Sequence, residues 1–228
     1  NYNRTTDIEL ILKENHDDER INEIVVSDDC SSEKTINFIN NLQHNFSKLK
    51  HILHHENVGA YINKIQAVSY CKNDWVILLD SDNNINSKYI DCCEKNELNL
   101  NTIYAPTFAK PMFDFPGLYN IRLSSLDDVK TELHKNSLAI QIALNTGNYL
   151  VPKHNYIAVA SKFMNIKYTE VFSLAVAWLE HNNSIHFVEG MTYSHKFHHG
   201  FYEQEKENHD EINKRLVAYI VNKKQRPF

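Results

Sequence analysis

The run Trp75-Val-Ile-Leu-Leu79, set between Asn73-Asp74 and Asp80-Ser-Asp82-Asn83, sets the tightest limit on the fold. Such an unbroken apolar run is too short for a buried helix and apolar on both faces, the pattern of a strand covered from above and below. Helices must supply that cover, and the sequence provides them in alternation with further strands. Ile8, Ile11 and Leu12 form an apolar stripe at helical spacing, so residues 5–16 read as a helix opened by a capping box at Thr6-Asp-Ile-Glu9. Glu23 to Ser27 reads as a buried strand, Ile36, Ile39 and Leu42 mark a second helix, His51 to His54 a strand, and Ile62, Ile65 and Val68 a third helix. Alternation of this kind implies an α/β fold with a mostly parallel central sheet flanked by helices.

Beyond residue 100 the pattern loosens. Asn101 to Ala105 reads as a strand, Pro106 to Pro116 as an aromatic loop, residues 124–135 and Val171 to Glu180 as helices, Tyr149 to Val151 and Ile185 to Val188 as strands, and Glu203 to Lys223 as a charged helix. No repeat, low-complexity tract or linker divides the chain, so its 228 residues are expected to form one domain in two halves, 1–105 and 106–228. With 42% hydrophobic residues the chain has ample material for a core. Only 5 glycines and 5 prolines are present, so the loops must rely on Asn, Asp and Ser.

The formal charge of −5, with lysines dispersed among acids, excludes a broad basic face for nucleic acid. No apolar run approaches the roughly 20 residues that span a bilayer. The 4 cysteines, at positions 30, 71, 92 and 93, show neither Cys-x-x-Cys nor framework spacing, so neither a disulfide scaffold nor a zinc knuckle is expected. A reducing, cytoplasmic setting fits that usage.

In parallel α/β sheets ligands sit beyond the carboxyl ends of the strands. Two strands here end in paired acids: Asp28-Asp29 after Val25-Val-Ser27, and Asp80-Ser-Asp82 after Leu78-Leu79. If the second pair lies in extended chain, Asp80 and Asp82 point the same way and repel, which a hard divalent cation with oxygen ligands relieves. The plain alternative is a polar turn leading into the next helix.

The ordered blocks Tyr2-Asn3-Arg4, Val25-Val-Ser-Asp28-Asp29-Cys-Ser31, Glu56-Asn57-Val-Gly59 and Leu78-Leu79-Asp80-Ser-Asp82-Asn83 resemble the motifs of family 2 glycosyltransferases of the GT-A fold, and their intervals match. The resemblance is strong over residues 1–105 and weak beyond. It implies a metal-dependent, inverting transfer of a sugar from a nucleotide-sugar donor, a UDP-sugar, to a hydroxyl on a glycan, protein or other acceptor, with Mn2+ or Mg2+ as cofactor. It assigns Asp28 and Asp29 to the uracil and ribose, Lys64 to the nucleotide, Asp80 to the ribose or metal, and Asp82 to the metal. Lys64 stands where the family usually has Arg, and Cys30 where it usually has Gly. The resemblance also implies a strand upstream of Tyr2-Asn3-Arg4, so the chain is expected to continue before Asn1.

In the second half, Glu170 opens the helix where the family places its catalytic base. His195, within Tyr193-Ser-His195-Lys-Phe-His198-His199, occupies the place of a late metal contact, with His198 as second choice. Asn145-Thr-Gly147-Asn148-Tyr149 resembles the turn before a strand that lines the acceptor pocket. Two rivals remain: a GT-A domain without catalysis that binds glycan or protein, and a sugar-phosphate nucleotidyltransferase. The latter would need a Gly-rich phosphate loop near its start, and none is visible.

Overall fold

Apolar stripes and runs become layers in the computed structural model, which describes residues 1–111, 113–164, 166, 168–196 and 206–222. Helix α1 (Thr6–Asn15) leads to β1 (Ile24–Asp28), α2 (Glu33–Leu42), β2 (Leu49–Leu53), α3 (Ala60–Tyr70), β3 (Trp75–Ile77) and α4 (Ser87–Lys95). The second half contributes β4 (Thr102–Lys110), β5 (Phe113–Asp114), β6 (Arg122–Leu123), α5 (Leu126–Ala143), β7 (Leu150–Pro152), α6 (Lys153–Ala160), α7 (Glu170–Glu180), β8 (Ser184–Ser194) and α8 (Lys206–Asn222). The α/β class expected from sequence is the class observed.

Strands β1 and β2 pair in parallel as one sheet, and the other sheet runs β3-β7-β4-β8-β6 with β5 against β4. The long β4–β8 ladder is parallel, while the shorter β3–β7, β4–β7, β4–β5 and β6–β8 pairings are antiparallel, so the sheet is mixed. No ladder joins β1 to β3 among the described residues. The open edge of β1 is met by Asn1, whose amino group donates to the Ser27 carbonyl (2.6 Å) and whose carbonyl accepts from the Asp29 N–H (2.8 Å).

Among the described residues three apolar clusters hold the layers. Ile8, Ile11 and Leu12 of α1 meet Val26, Ile39, Leu42 and Leu49. Leu12 and Ile39 are fully buried, worth ~1.5–3 kcal/mol each by transfer from water. The largest cluster lies between the second sheet and α5 to α8 around Phe172, Trp178 and Phe187, with the Trp178 Nε1–H donating to the Ser184 carbonyl at 2.8 Å. The third packs α4 onto β4 and β8 through Tyr89, Tyr104 and Tyr193.

Several expectations need correction. The anticipated loop at Pro106 to Pro116 is largely strand, because Pro106 falls between the last β4–β7 pair at Tyr104 and the first β4–β5 pair at Phe108. The β8 side shifts register there, and the Thr107 hydroxyl spans the irregularity to the Val188 carbonyl (2.9 Å). In α1, Thr5 rather than Thr6 holds the cap position and no side chain caps it. Helix α5 runs past residue 135: Asn136 leaves helical geometry (φ −153°) and its Oδ1 accepts the Ala139 N–H (3.1 Å), starting the helix afresh. Helix α6 was not foreseen; the Tyr61 hydroxyl ties its end at the Ala160 carbonyl to α3 (2.9 Å). No described helix is long and apolar enough to cross a membrane, and all four cysteines are free.

Candidate active site

Strand β3 ends at Ile77, so Asp80 and Asp82 are carried by a turn and not by extended chain. The Asn83 N–H closes that turn on the Asp80 carbonyl (2.9 Å). Strand alternation therefore does not align the two carboxylates, and each faces its own cation. Lys64 Nζ of α3 lies 2.9 Å from Asp80 Oδ1, and Arg4 Nη2 lies 3.5 Å from Asp82 Oδ2.

Lys64 also reaches Glu170 Oε1 at 3.5 Å, joining the acid at the tip of β3 to the first residue of α7. Burial alone would lower the pKa of this ammonium, but Asp80 and Glu170 more than offset it and hold it above the ordinary lysine range. Tyr61 and Tyr156 flank the group, and burial raises the pKa of both phenols, so they remain neutral at physiological pH. Glu170 is aimed by Thr169, a non-glycine residue in left-handed geometry (φ 49°) whose N–H donates to His209 Nδ1 of α8 (3.2 Å).

Asn148 braces the turn. Its Oδ1 accepts from the Asp80 N–H (3.0 Å) and from Asn83 Nδ2 (3.3 Å), and its carbonyl accepts the Tyr89 hydroxyl (2.7 Å). The segment before it passes close beneath Asp80: a Cβ on Gly147 (φ +66°) would stand 3.4 Å from Asp80 Oδ2. Asn83 Oδ1 in turn accepts from His195 Nδ1 at 3.0 Å, which sets His195 beside the turn just after β8. His198 lies outside the described residues.

Asp28 and Asp29 are buried, at 0% and 4% exposure, and their oxygens are already engaged. Asp28 accepts from Asn1 Nδ2 (2.8 Å) and the Ser31 N–H (2.7 Å), with His51 Nε2 at 3.8 Å. Burial by itself would raise the Asp28 pKa, but the neighbouring His51 ring together with the donors Ser31 and Asn1 prevails and holds it well below the usual carboxylate range. Asp29 receives the N–H groups of Val58 (2.7 Å) and Gly59 (3.0 Å), fixing the loop that opens α3 and hence the placement of Lys64.

The structure thus gathers Lys64, Asp80, Asp82, Glu170 and His195 around one turn, and sets Asp28 and Asp29 at the neighbouring strand end as braces of the surrounding backbone. The sequence motifs assign no role to Arg4, and they place Asn148 in a turn before a strand without its bracing of Asp80 and Asn83. The signal for Asn148 was its place after Gly147, since Asn is the side chain that best tolerates the left-handed geometry (φ 47°) found there. Among the described residues no three acidic, His or Cys side chains converge as a ready metal site. The Asp80 and Asp82 carboxylates, 33% and 28% exposed, still fit a hard divalent ion that completes its shell with phosphate oxygens and water.

Residues 1–91 match the family model described as glycosyl transferase family 2. No curated protein matches the sequence. Among solved structures the chain is similar to S. aureus TarS 1–349 (TM-score 0.63, 17% identity, covering 97% of this chain and 68% of that one). The complex of that protein with UDP-GlcNAc matches at TM-score 0.63 and 16% identity, over 93% of this chain and 62% of the other. Mannosyltransferase PcManGT from Pyrobaculum calidifontis, in complex with GDP-Man and Mn2+, matches at TM-score 0.65 and 10% identity, over 99% of this chain and 63% of that one. At these identities the likeness is one of fold, and the chain spans only part of each longer neighbour. Over residues 1–91 the chain is thus similar to glycosyl transferase family 2, and its α/β fold is that of the glycosyltransferases it resembles.

Proposed function

We propose that the protein transfers a sugar from a nucleotide-sugar donor, a UDP-sugar, to an acceptor hydroxyl with inversion at the anomeric carbon, at the site around the Asp80–Asn83 turn. The observation that carries this reading is Lys64, which joins Asp80 on the donor side (2.9 Å) to Glu170 on the acceptor side (3.5 Å). A single ammonium between the tip of β3 and the start of α7 suits a site where diphosphate and base must lie close together. The UDP-GlcNAc in the TarS complex and the GDP-Man with Mn2+ in the PcManGT complex support a nucleotide-sugar and a divalent ion.

In this reading Lys64 stabilises negative charge on the nucleotide, while Asp29 holds the loop that places it. Asp28 and Asp29 shape the uracil and ribose end through Ser31, Val58 and Gly59. Asp80 faces the ribose or the ion, and Asp82 holds Mn2+ or Mg2+, with His195 oriented by Asn83 as a late contact. When bound, the ion offsets charge on the departing diphosphate. Glu170 accepts the proton of the acceptor hydroxyl as it attacks opposite the leaving group.

Calorimetry with UDP, with and without Mn2+, tests the site, and hydrolysis of a panel of nucleotide sugars names the donor. Wild type is expected to bind UDP far more tightly with the metal, and Asp82→Ala to lose that difference. Binding that ignores the metal in wild type overturns the metal-dependent reading. Metal-dependent binding without turnover of any donor would favour a binding domain over an enzyme.

A further inference from the structure

Arg4 has no part in the reaction as described above, yet its guanidinium pairs with the acidic turn as Lys64 does. Its position is built. Asn3 adopts left-handed geometry (φ 55°), its N–H donates to Ser31 Oγ (2.7 Å), and its Oδ1 accepts the Ser32 N–H at the start of α2 (2.9 Å). These bonds pin the segment before α1 to the β1–α2 loop, and from there the guanidinium reaches Asp82 at 3.5 Å. Lys64 is shared between Asp80 and Glu170, so among the described residues Arg4 is the cation paired with Asp82. Both members are partly open, with side chains 30% and 28% exposed, so the pair can separate without leaving a charge buried.

We propose that Arg4 is the resident counter-cation of Asp82, which it yields to a divalent ion and thereafter serves as a ligand of the donor's diphosphate. The inference rests on the metal-dependent reading above and adds a residue and a coupling to it. The ion alone must displace Arg4 from Asp82, and the diphosphate alone must draw Arg4 away and leave Asp82 unpaired. Bound together, they share one separation of the pair, so each strengthens the other beyond direct contact between ion and phosphate. Arg suits this exchange because its planar fork fits carboxylate and phosphate alike.

Paramagnetic resonance titration of Mn2+, with and without UDP, reads the exchange directly and needs no turnover. Arg4→Ala is expected to tighten Mn2+ binding without nucleotide about threefold, the scale of a partly exposed ion pair. The same variant should weaken UDP binding at saturating Mn2+ about tenfold, as expected for loss of a charge-assisted phosphate contact. Arg4→Lys, which keeps the charge without the fork, should bind Mn2+ as wild type does and UDP with intermediate affinity. If wild type binds no Mn2+ even with UDP, the metal-dependent reading and this inference both fall. If wild type binds Mn2+ and Arg4→Ala binds it no more tightly, or binds UDP unchanged, this inference alone falls.

Discussion

In the proposed reaction Glu170 and Lys64, 3.5 Å apart, would form one charge pair serving both the donor and the acceptor side. With no second acid in the first turn of α7, Glu170 is the residue proposed there as base, and the nearby ammonium keeps it from facing Asp80 without a counter-charge. Glu170→Gln keeps the shape and removes the base, so kcat should fall by about 10²–10⁴ while UDP affinity at saturating Mn2+ stays near that of wild type. Steady-state rates with the identified donor, beside calorimetry, check this. A fall in kcat of less than about tenfold would remove Glu170 from the base role. Position 30 shows how much a single residue discloses. Cys30 stands where the resembled family has Gly, and its φ of 64° gives the reason, since the turn after Asp29 needs left-handed backbone. The residue types of the site were legible because carboxylates after apolar runs are conspicuous. Arg4 was not, because its partner is 78 positions away and only the fold joins them.

At the scale of elements, the alternation of the first half was legible because each stripe or run buries against its sequence neighbours, as α1, β1, α2 and β2 do. Boundaries suffered where tertiary context overrode local signals. Pro106 suggested a loop, yet it sits in β4 where the pairing changes hands from β7 to β5. The turn Asp80–Asn83 was legible as a polar stretch but not as a geometry, because its brace comes from Asn148, 68 positions on. That brace makes a prediction specific to the element. Asn148→Gly retains the left-handed backbone while deleting the acceptor for the Asp80 N–H and Asn83 Nδ2, in a residue only 1% exposed. Unfolding in urea should show a loss of about 1–3 kcal/mol at unchanged m, the cost of leaving buried donors unmet. UDP binding with Mn2+ should weaken as well, since the turn then loses its set position. Stability lost with UDP affinity intact would mean that Asn148 supports the core but does not set the carboxylates.

For the whole molecule, the division into two sheets matters most, because β1 and β2 form a separate ladder whose cohesion with the rest depends on side chains. Among the described residues, three acids that the fold holds below their ordinary range lie on that side. Asp18 is lowered to about 2, chiefly by hydrogen bonds from Arg20. Burial would raise Glu23, but Lys50 and the Lys72 N–H lower it on balance. Asp28 is lowered against its own burial by His51, Ser31 and Asn1. A carboxyl whose folded pKa lies below its unfolded value of about 3.9–4.3 stabilises the fold fully above that value, and the gain is lost as pH falls toward the folded pKa. Acid should therefore loosen residues 18–53 before the sheet built on β4 and β8, whose cluster around Phe172, Trp178 and Phe187 is apolar. Hydrogen exchange read by mass spectrometry after incubation at pH 7 and at about pH 3 checks this, since regions of unequal stability open separately. Peptides from β1 and β2 should lose protection first, while those from β8 and α7 keep theirs. Asp28→Asn should flatten the dependence, being less protected at pH 7 and losing less on acidification, because its amide has no proton to take up. Simultaneous loss across both sheets would show that the two ladders open as one unit and that the side chains between β1 and β3 bind them as firmly as hydrogen bonds would.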